Sequence, residues 1–397
     1  MSVRLLTIAT RLPETVIGQD EVAELFATQS STTRLGSRLV RTAFAGAGVR
    51  TRHTVLTELA AEAREAGDGD PATTHFLDGA TGALGSPATG ARNAIYTTEA
   101  SRLFVGAARA ALDDVASTVA PSDVTHVITV SCTGFFAPGP DVRVTKDLGL
   151  PADVTRLHLG FMGCNAAFPA LRTAHAYCIA DPDAVVLVVC VELCTLHLHV
   201  RNDPNTVMGN ALFADGAAAA IVTARETGPA AAEVAAPGLE LVDFETTLAP
   251  VGEEALAWSI GDEGFEMILG TYVPKIIDDH ITDALAPLLG RTGADAATIP
   301  LWAVHPGGRS ILDKVQIRLG LSDEQMAPSR GVLADVGNMS SVTILFVLDR
   351  LRRSGATGTV AALAFGPGLS IESALLRLAA SPGSVDLDHA DGETAGA

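Results

Sequence analysis

Hydrophobic residues fall in short runs along this chain, and the spacing within each run separates predicted strands from predicted helices. Continuous apolar runs such as AVVLVVC at 184–190 predict strands, whereas apolar positions recurring every three or four residues predict helices. The predicted strands lie near 124–132, 184–192, 213–223, 239–248, 300–305, 358–365 and 369–378. The predicted helices lie near 99–117, 141–149, 166–180, 270–289, 309–319 and 340–353. This mixture of strands and helices indicates an α/β fold.

The chain lacks a long apolar run, and two stretches depart from the pattern of strands and helices. No apolar run reaches the ~18 residues that a membrane span needs, so we expect no such span. Residues 65–92 are rich in Gly, Ala, Pro and Thr and predict a mobile insertion. The acidic stretch 381–397 predicts a disordered tail.

An internal repeat appears when the chain is compared with itself at an offset of 174 residues. The strand-like VITVSCTG, which ends at Gly134, then faces LWAVHPGG, which ends at Gly308. At the same offset Cys164 faces Asn338, and AVVLVVCVEL faces GTVAALAFGPGL. One register shared by three matches predicts a duplicated α/β unit, with an N-terminal half at 1–230 and a C-terminal half at 231–380.

The repeat predicts which side chains meet. Cys164 lies in LGFMGCNAAFPALR, between a strand-like stretch and helix-favouring residues, so we expect it at a strand-to-helix corner. If the halves pack about a pseudo-twofold axis, Ser131, Cys132, Cys164, His305 and Asn338 converge. An arrangement with Cys164 and His305 on opposite faces would contradict this hypothesis.

Charge limits the partners of the protein. Lys and Arg total 27 against 46 Asp and Glu, a formal net charge of −19, which argues against a nucleic-acid partner. An anionic small molecule would need a local cluster of cations. Five arginines near the N-terminus form either such a cluster or a set of solvated side chains: Arg34, Arg38, Arg41, Arg50 and Arg52.

The cysteines predict free thiols in a cytoplasmic protein. There are five, at 132, 164, 178, 190 and 194, and the N-terminus lacks the pattern of a secretory signal. Cys190 and Cys194 with His197 and His199 raise the question of zinc. Cys190 ends a buried-strand pattern and no second ligand pair follows, so we expect no metal.

Three of the converging residues suit acyl transfer. A thiolate is a good acyl acceptor, and a nearby imidazolium with a helix N-terminus lowers the pKa of a thiol. Cys164 and His305 supply these parts, and the Asn338 amide can donate to a developing oxyanion. The alternatives are a core cysteine and a histidine that only completes a strand end.

Five motifs in this order and spacing resemble the chalcone-synthase-like type III polyketide synthases of the thiolase superfamily: GFMGCNAAFPALR, LFADGAAAAIV, WAVHPGGRSIL, GNMSSVTILFVL and AFGPGLSIE. The resemblance covers about residues 1 to 378. It implies a thiolase-like αβαβα fold of two halves, a homodimer, and direct use of malonyl-CoA and acyl-CoA thioesters as substrates without a cofactor.

The resemblance also assigns residues. It implies that Cys164 is the nucleophile and that His305 and Asn338 promote decarboxylation and stabilise the enolate. Phe213 and Phe265 match two phenylalanines between the CoA tunnel and the reaction cavity, although most phenylalanines are core residues. We also expect Gly307 and Gly308 to contact the substrate and Arg38 and Arg41 to bind CoA.

Departures from the plant pattern concern the product. Cys132, Thr133, Cys194 and His197 stand where the plant enzymes carry other small polar residues, and we expect them to contact the substrate. SCTGF with GFMGC resembles bacterial alkylpyrone and alkylresorcinol synthases, which accept fatty acyl-CoA starters, but Asn165 differs from the tyrosine of that subgroup. Cys132 is either a second cavity thiol or an inert wall residue. Glu192 belongs either to a network that steers cyclisation or to the structure alone.

The leading function is therefore iterative condensation of malonyl-CoA onto an acyl-CoA starter held on Cys164, followed by cyclisation to an alkylpyrone or alkylresorcinol. Two other enzymes fit the residues less well: a malonyl-primed tetrahydroxynaphthalene synthase, and a carrier-dependent condensing enzyme like ketoacyl-ACP synthase III. A non-catalytic acyl-CoA-binding subunit is the alternative from another class. Starter preference and dependence on a carrier protein separate them.

Overall fold

The computed structural model describes residues 2–60, 76–78, 81–225 and 238–379. Thirteen strands have these bounds: β1 Val3–Arg11, β2 Thr15–Gly18, β3 Thr51–Thr54, β4 His126–Ser131, β5 Thr155–Gly160, β6 Val185–Leu193, β7 Asp215–Thr223, β8 Leu239–Leu248, β9 Leu256–Gly261, β10 Gly264–Leu269, β11 Leu301–Val304, β12 Gly358–Gly366 and β13 Ser370–Leu378 in the described residues. The helices in the same ranges are α1 Gln19–Ala27, α2 Arg34–Gly46, α3 Thr89–Asp114, α4 Pro140–Asp147, α5 Ala167–Ala180, α6 Pro204–Leu212, α7 Val273–Thr292, α8 Arg309–Leu319, α9 Asp323–Val336 and α10 Thr343–Arg353.

The repeat is visible in the main sheet, whose nine strands have the order β11-β12-β13-β8-β1-β7-β6-β4-β5. In the N-terminal half β4 and β6 are parallel, while β6–β7 and β7–β1 are antiparallel. In the C-terminal half β11–β12, β12–β13 and β13–β8 repeat these three pairings in the same order. Antiparallel pairing of β1 with β8 joins the halves. The sheet topology thus agrees with the duplicated unit, except that the segment matching β5 lies in helix α9.

Both faces of the sheet are covered by helices. Strands β6 and β7 are buried along their whole length, which explains their continuous apolar sequences VVLVVCVEL and DGAAAAIVT. Even-numbered residues of β6, such as Val186 and Val188, share a core with α5 and α10, while odd-numbered ones share a core with α3 and α7. This layering is the thiolase-like α/β fold, which confirms the predicted fold class.

The predicted core elements agree with the structure within a few residues, but helix α3 begins ten residues before its predicted start. It begins at Thr89 because Arg92 and Tyr96 are buried, and this tertiary packing outweighs the low helix propensity of Gly90. The end of the expected insertion 65–92 is therefore helical. Phe76 and Leu77 are also buried, and Leu77 pairs with Leu84, so the described part of this segment packs on the core.

Several expectations fall outside the described residues. These are most of the insertion, at 65–75 and 79–80, the boundary at 230, and the tail 381–397. Within the described ranges, no helix is both long and apolar enough to cross a membrane.

Candidate active site

Cys164 lies at the turn between strand β5 and helix α5. Two residues of this turn have left-handed backbone angles, Phe161 with φ 60° and Gly163 with φ 88°. A Cβ at Gly163 would lie 2.3 Å from Pro367 of the other half, so only glycine fits here. The turn closes when the Ala166 amide donates to the Gly163 carbonyl at 3.1 Å, and α5 begins one residue later. The strand-to-helix corner expected for Cys164 is therefore observed.

Asn338 lies at the corresponding turn of the C-terminal half. Gly337 again has a positive φ, of 74°. The Asn338 amide donates to the Leu212 carbonyl at 2.9 Å, and its carbonyl accepts from the Ala214 amide at 2.9 Å. The side-chain oxygen of Asn338 accepts from the Ser340 amide at 2.9 Å. This bridge between the halves fixes the backbone of Asn338, and the hydrogen bond to its oxygen orients the side-chain amide.

His305 follows strand β11 and has an unusual buried ring. Its backbone amide donates to the Leu363 carbonyl at 2.8 Å, and its carbonyl accepts from Gly307 at 2.9 Å. The side chain is 1% exposed, and neither ring nitrogen has a hydrogen-bond partner. Two buried and unpartnered nitrogens are costly unless a ligand satisfies them.

These residues meet in one cavity of about 610 Å³ including its opening, which we call the reaction cavity. Eight of the residues expected at the site line it: Cys132, Thr133, Cys164, Cys194, Phe213, His305, Gly307 and Asn338. The remaining wall is mainly apolar and includes Leu256, Trp258, Met267, Leu269, Ile311 and Phe365. The convergence inferred from the repeat is therefore present, with Ser131 buried behind the wall.

Other predicted residues lie elsewhere. His197 and Phe265 line a neighbouring cavity of about 830 Å³ including its opening, which we call the side cavity. Gly308 is not among the residues that line the reaction cavity and precedes α8, where an added Cβ would meet Leu212. Arg38 and Arg41 line a shallow depression on α2, separate from both cavities.

The five N-terminal arginines do not form one cluster. Arg34 lines the same depression as Arg38 and Arg41, whereas Arg50 pairs with Asp335. Arg52 is buried and donates to the carbonyls of Asn210, Ala211 and Phe213 and to Gln19. Arg52 is thus neither solvated nor available to an anion, because it satisfies the carbonyls at the end of α6.

Burial controls the protonation of the cysteine and the histidine. Burial raises the pKa of Cys164 to about 11, although hydrogen bonds from Ser340 and Asn338 favour its thiolate. Burial also lowers the pKa of His305 to about 3. Burial therefore favours the neutral form of each group, whereas the sequence led us to expect a thiolate–imidazolium pair. The reason is desolvation, which disfavours both charged forms.

Glu192 joins the two halves behind the reaction cavity. Its carboxylate accepts from the Cys132 amide at 2.9 Å, the Thr133 hydroxyl at 2.9 Å and the Ser341 hydroxyl. Burial raises its pKa. The Cys132 thiol lines the cavity and contacts the Ser340 hydroxyl at 3.3 Å, and burial raises its pKa well above the usual range. Cys132 lies in the cavity wall, as both interpretations of it require, and Glu192 connects the two halves.

The sequence did not predict the hairpin β9–β10, which supplies Trp258 and Met267 to the cavity wall. Its signal is the alternation in LAWSIG and GFEMIL, with glycines at the turn. Ser340 and Ser341 were also missed, although they follow Asn338 directly. The possible zinc ligands serve other roles: His197 bonds to backbone groups, and the described residues contain no group of three or more His, Cys, Asp or Glu placed to hold a metal.

A duplicated α/β fold with a cysteine, a histidine and an asparagine at three corners of one cavity defines the class of protein as the thiolase-like condensing enzymes. The N-terminal domain of chalcone and stilbene synthases matches residues 2–226, and their C-terminal domain matches residues 240–380. The chain therefore belongs to the chalcone and stilbene synthase family, the type III polyketide synthases, which are acyltransferases that use CoA thioesters. The resemblance given by the five motifs is confirmed.

Similar proteins come from plants, bacteria, algae and amoebae. Type III polyketide synthase 21 of Oryza sativa is 34% identical over 94% of this chain and 93% of that protein. The alpha-pyrone synthesis polyketide synthase-like Pks18 of Mycobacterium tuberculosis is 35% identical over 64% of this chain and 65% of its own length. The solved structure of PKS-I from the brown alga Ectocarpus siliculosus has a TM-score of 0.85 and 28% identity, covering 95% of this chain and 98% of that one. The C-terminal domain of Steely1 from Dictyostelium has a TM-score of 0.83 and 27% identity, covering 95% and 99%.

Proposed function

We propose that this protein condenses malonyl-CoA repeatedly onto an acyl-CoA starter held on Cys164 and releases a cyclised alkylpyrone or alkylresorcinol. The observation that carries the proposal is the reaction cavity, where the Cys164 thiol, the unpartnered His305 ring and the Asn338 amide face one apolar space. The family membership supports the reaction type. The starter and the product are the parts that remain to be tested.

The proposed chemistry starts from the neutral pair. As the Cys164 sulfur attacks the starter thioester, His305 takes the thiol proton, and CoA leaves with a proton as the free thiol. Malonyl-CoA then binds with its thioester carbonyl near His305 and Asn338, where their N–H groups stabilise the enolate formed on loss of CO₂. The enolate carbon attacks the Cys164 thioester, which forms a carbon–carbon bond and releases the Cys164 thiolate, which takes up a proton. The lengthened chain is then a CoA thioester, and thioester exchange returns it to Cys164 and frees CoA before the next round. Decarboxylation supplies the carbanion, so the proposal requires no metal or other cofactor.

The walls support an aliphatic starter. Leu256, Leu269, Ile311 and Phe365 face the cavity and offer no polar partner to a ring hydroxyl. A buried methylene group contributes about 0.8 kcal/mol on transfer from water, so an alkyl chain fits this lining better than a polar one. The name of the mycobacterial relative, which refers to alpha-pyrone synthesis, points in the same direction.

We also propose that the depression on α2 binds the phosphates of CoA. Arg34 and Arg38 lie there with Arg41, which already pairs with Glu24 at 2.9 Å. Arg38→Gln should raise KM for malonyl-CoA with little change in kcat. Arg102→Gln, at an exposed position of α3, serves as a control of equal charge change. An unchanged KM for Arg38→Gln would contradict the assignment.

The predicted homodimer has support from an exposed apolar surface. Phe135 and Met162 are 38% and 39% exposed, and the Phe135 ring lies 5.7 Å from the Phe161 ring. We propose that a second copy covers this surface. Light scattering during gel filtration should give a dimer for the parent and a monomer for Phe135→Glu. The cytoplasmic location stays a prediction.

Product analysis tests the main proposal. Purified protein is incubated with malonyl-CoA, alone and with acyl-CoA starters from acetyl to palmitoyl, beside a Cys164→Ala control, and products are identified by mass spectrometry. Alkylpyrones or alkylresorcinols whose mass follows the starter are the expected result. A product from malonyl-CoA alone would favour a tetrahydroxynaphthalene synthase. Absence of product without a carrier protein would favour a ketoacyl-ACP synthase III-like or non-catalytic role.

A further inference from the structure

Asn165 directly follows Cys164 and has no role in the chemistry proposed above. It lies in the turn between β5 and α5, is 2% exposed, and lines neither the reaction cavity nor the side cavity. Its side-chain NH₂ donates to the Ser370 hydroxyl of the C-terminal half at 2.7 Å. Within the described residues its side-chain oxygen has no hydrogen-bond partner, so the bond to Ser370 alone orients the amide. The residue after the nucleophile thus links the two halves.

The end of strand β12 leaves room for the Asn165 side chain. Gly366 has extended backbone angles that any residue can adopt, but a Cβ there would lie 2.3 Å from the Asn165 side-chain oxygen. A glycine is needed at 366 because Asn165 occupies this space. Ser370 is oriented in turn, since its hydroxyl donates to the Pro367 carbonyl at 3.1 Å. Asn165 therefore packs on the last residue of β12 and bonds to the first residue of β13.

The residue on the other side of Cys164 contacts the same connection between β12 and β13. A Cβ at Gly163 would lie 2.3 Å from Pro367, so the two residues pack directly on each other. An apolar contact of this kind allows the turn to slide, whereas a hydrogen bond requires a defined distance and angle. The bond from Asn165 is therefore the contact that sets the orientation of the corner carrying Cys164.

Strand β12 also holds His305. The His305 backbone amide donates to the Leu363 carbonyl of β12 at 2.8 Å, and β11, which leads into His305, pairs with β12 in parallel. One strand thus holds the backbone of the histidine at Leu363 and the side chain of Asn165 at its end. Because Cys164 and Asn165 are adjacent, β12 connects the cysteine of one half to the histidine of the other.

We propose that Asn165 is a positioning residue, which holds the Cys164 thiol at the distance and angle from His305 that proton transfer needs. This inference rests on the proposed function, in which His305 takes the thiol proton. The rate of such a transfer depends steeply on geometry, and a shift of about 1 Å can cost about a hundredfold. Without the bond to Ser370, the corner keeps its apolar contact but loses the one that defines its orientation.

Alkylation of Cys164 by iodoacetamide tests the proposal on the whole protein without a starter. The sulfur bonds to the CH₂ carbon, iodide leaves, and His305 takes the thiol proton. Mass spectrometry of the tryptic peptide 157–172, whose one cysteine is Cys164, gives the rate constant. Asn165→Leu keeps a similar shape without the donor and should react roughly tenfold more slowly than the parent.

A double variant shows whether the effect of Asn165 passes through His305. His305→Ala alone should slow the alkylation, because the acceptor of the thiol proton is gone. Asn165→Leu combined with His305→Ala should react no more slowly than His305→Ala, since no histidine remains against which to position the thiol. A merely structural role of Asn165 would slow both backgrounds alike.

Two variants of Ser370 and one remote variant serve as controls. Ser370→Ala breaks the same bond from its other end and should match Asn165→Leu, whereas Ser370→Thr keeps the hydroxyl and should react like the parent. Thr223→Val removes another buried hydroxyl, which donates to the Ala184 carbonyl at 2.7 Å, and should also react like the parent. Thermal melting shows that each variant is folded.

The proposal is overturned if folded Asn165→Leu and Ser370→Ala react at the parent's rate. It is also overturned if Asn165→Leu slows the His305→Ala variant as much as it slows the parent. If Asn165→Leu does not fold, Ser370→Ala in the same two backgrounds decides. A parent that makes no polyketide from any starter refutes the proposed function, which is a different result from alkylation rates that do not respond to Asn165.

Discussion

The contact between the two halves at Glu192 allows a quantitative test of the site's construction. Glu192→Ala removes the acceptor of the Cys132 amide and of the Ser131, Thr133 and Ser341 hydroxyls. The hydroxyls can rotate toward other acceptors, but the backbone amide of Cys132 cannot. An unsatisfied buried donor costs about 1–3 kcal/mol, and the three rotatable hydroxyls with the lost packing add about as much again. Removal of a buried carboxylate offsets part of this cost. We expect a net loss of about 3 kcal/mol in the free energy of unfolding.

That loss corresponds to a measurable change in melting temperature. With an unfolding entropy of roughly 2.1 cal/mol/K per residue, the full chain gives a decrease of about 4 °C. Glu192→Gln is the matched control, because its amide oxygen can accept from the Cys132 and Thr133 donors while its NH₂ donates to Ser341. The glutamine variant should lose less than about 1 kcal/mol. Differential scanning calorimetry measures both.

Two results would refute this reasoning. One is an alanine variant that melts within a degree of the parent, which would mean that the four donors find other partners. The other is a glutamine variant as unstable as the alanine variant, which would mean that the negative charge, rather than the number of hydrogen bonds, holds the halves together.

Three further predictions concern Cys164, Gly163 and Asp215. Cys164→Ala should abolish polyketide formation yet retain malonyl-CoA decarboxylation, because His305 remains. Product mass and CO₂ release measure the two activities, and a product yield equal to the parent's would contradict the role of Cys164 as nucleophile. Gly163→Ala should lower stability by about 2 kcal/mol and reduce kcat/KM, because its Cβ would lie 2.3 Å from Pro367 in a left-handed turn; urea unfolding and initial rates check this. Burial raises the pKa of Asp215 to about 6, so the folded chain binds this proton more tightly than the unfolded chain. The stability that the Asp215 proton contributes is therefore present at low pH and is lost as pH rises from about 4 to 6, by about 3 kcal/mol. Urea unfolding at several pH values should show this decrease in the parent and not in Asp215→Asn.

The repeat explains why so much of the fold could be predicted from one sequence. Its corners need glycines and its central strands need continuous apolar runs, and both requirements are local properties of the chain. Gly163 and Gly337 keep their offset because each sits in a turn that only glycine fits easily. The same register predicts that Cys164, His305 and Asn338 meet, and the three line one cavity.

The differences between expectation and structure have another origin. The protonation of Cys164 and His305 depends on how much water reaches them, which the sequence pattern does not contain. The sequence does not reveal the partners of Arg52, because the carbonyls that it bonds at the end of α6 are more than 150 residues away in sequence. The local sequence therefore left Arg52 among the binding or solvated cations. The missed start of α3 depends on tertiary packing too. In each case long-range burial outweighs the local preference of the residue.

The symmetric fold supplies the residues of the proposed chemistry, whereas the asymmetric connections supply much of the cavity walls. Between β12 and β13 the connection is only residues 367–369, whereas between the equivalent β6 and β7 it spans residues 194–214. The longer connection carries Cys194, His197 and Phe213, which with the β9–β10 hairpin form the walls of both cavities. Substitutions in that connection and hairpin should therefore change product length while leaving malonyl-CoA decarboxylation intact. Substitutions at the Cys164, His305 and Asn338 corners should instead change the chemistry whatever the starter.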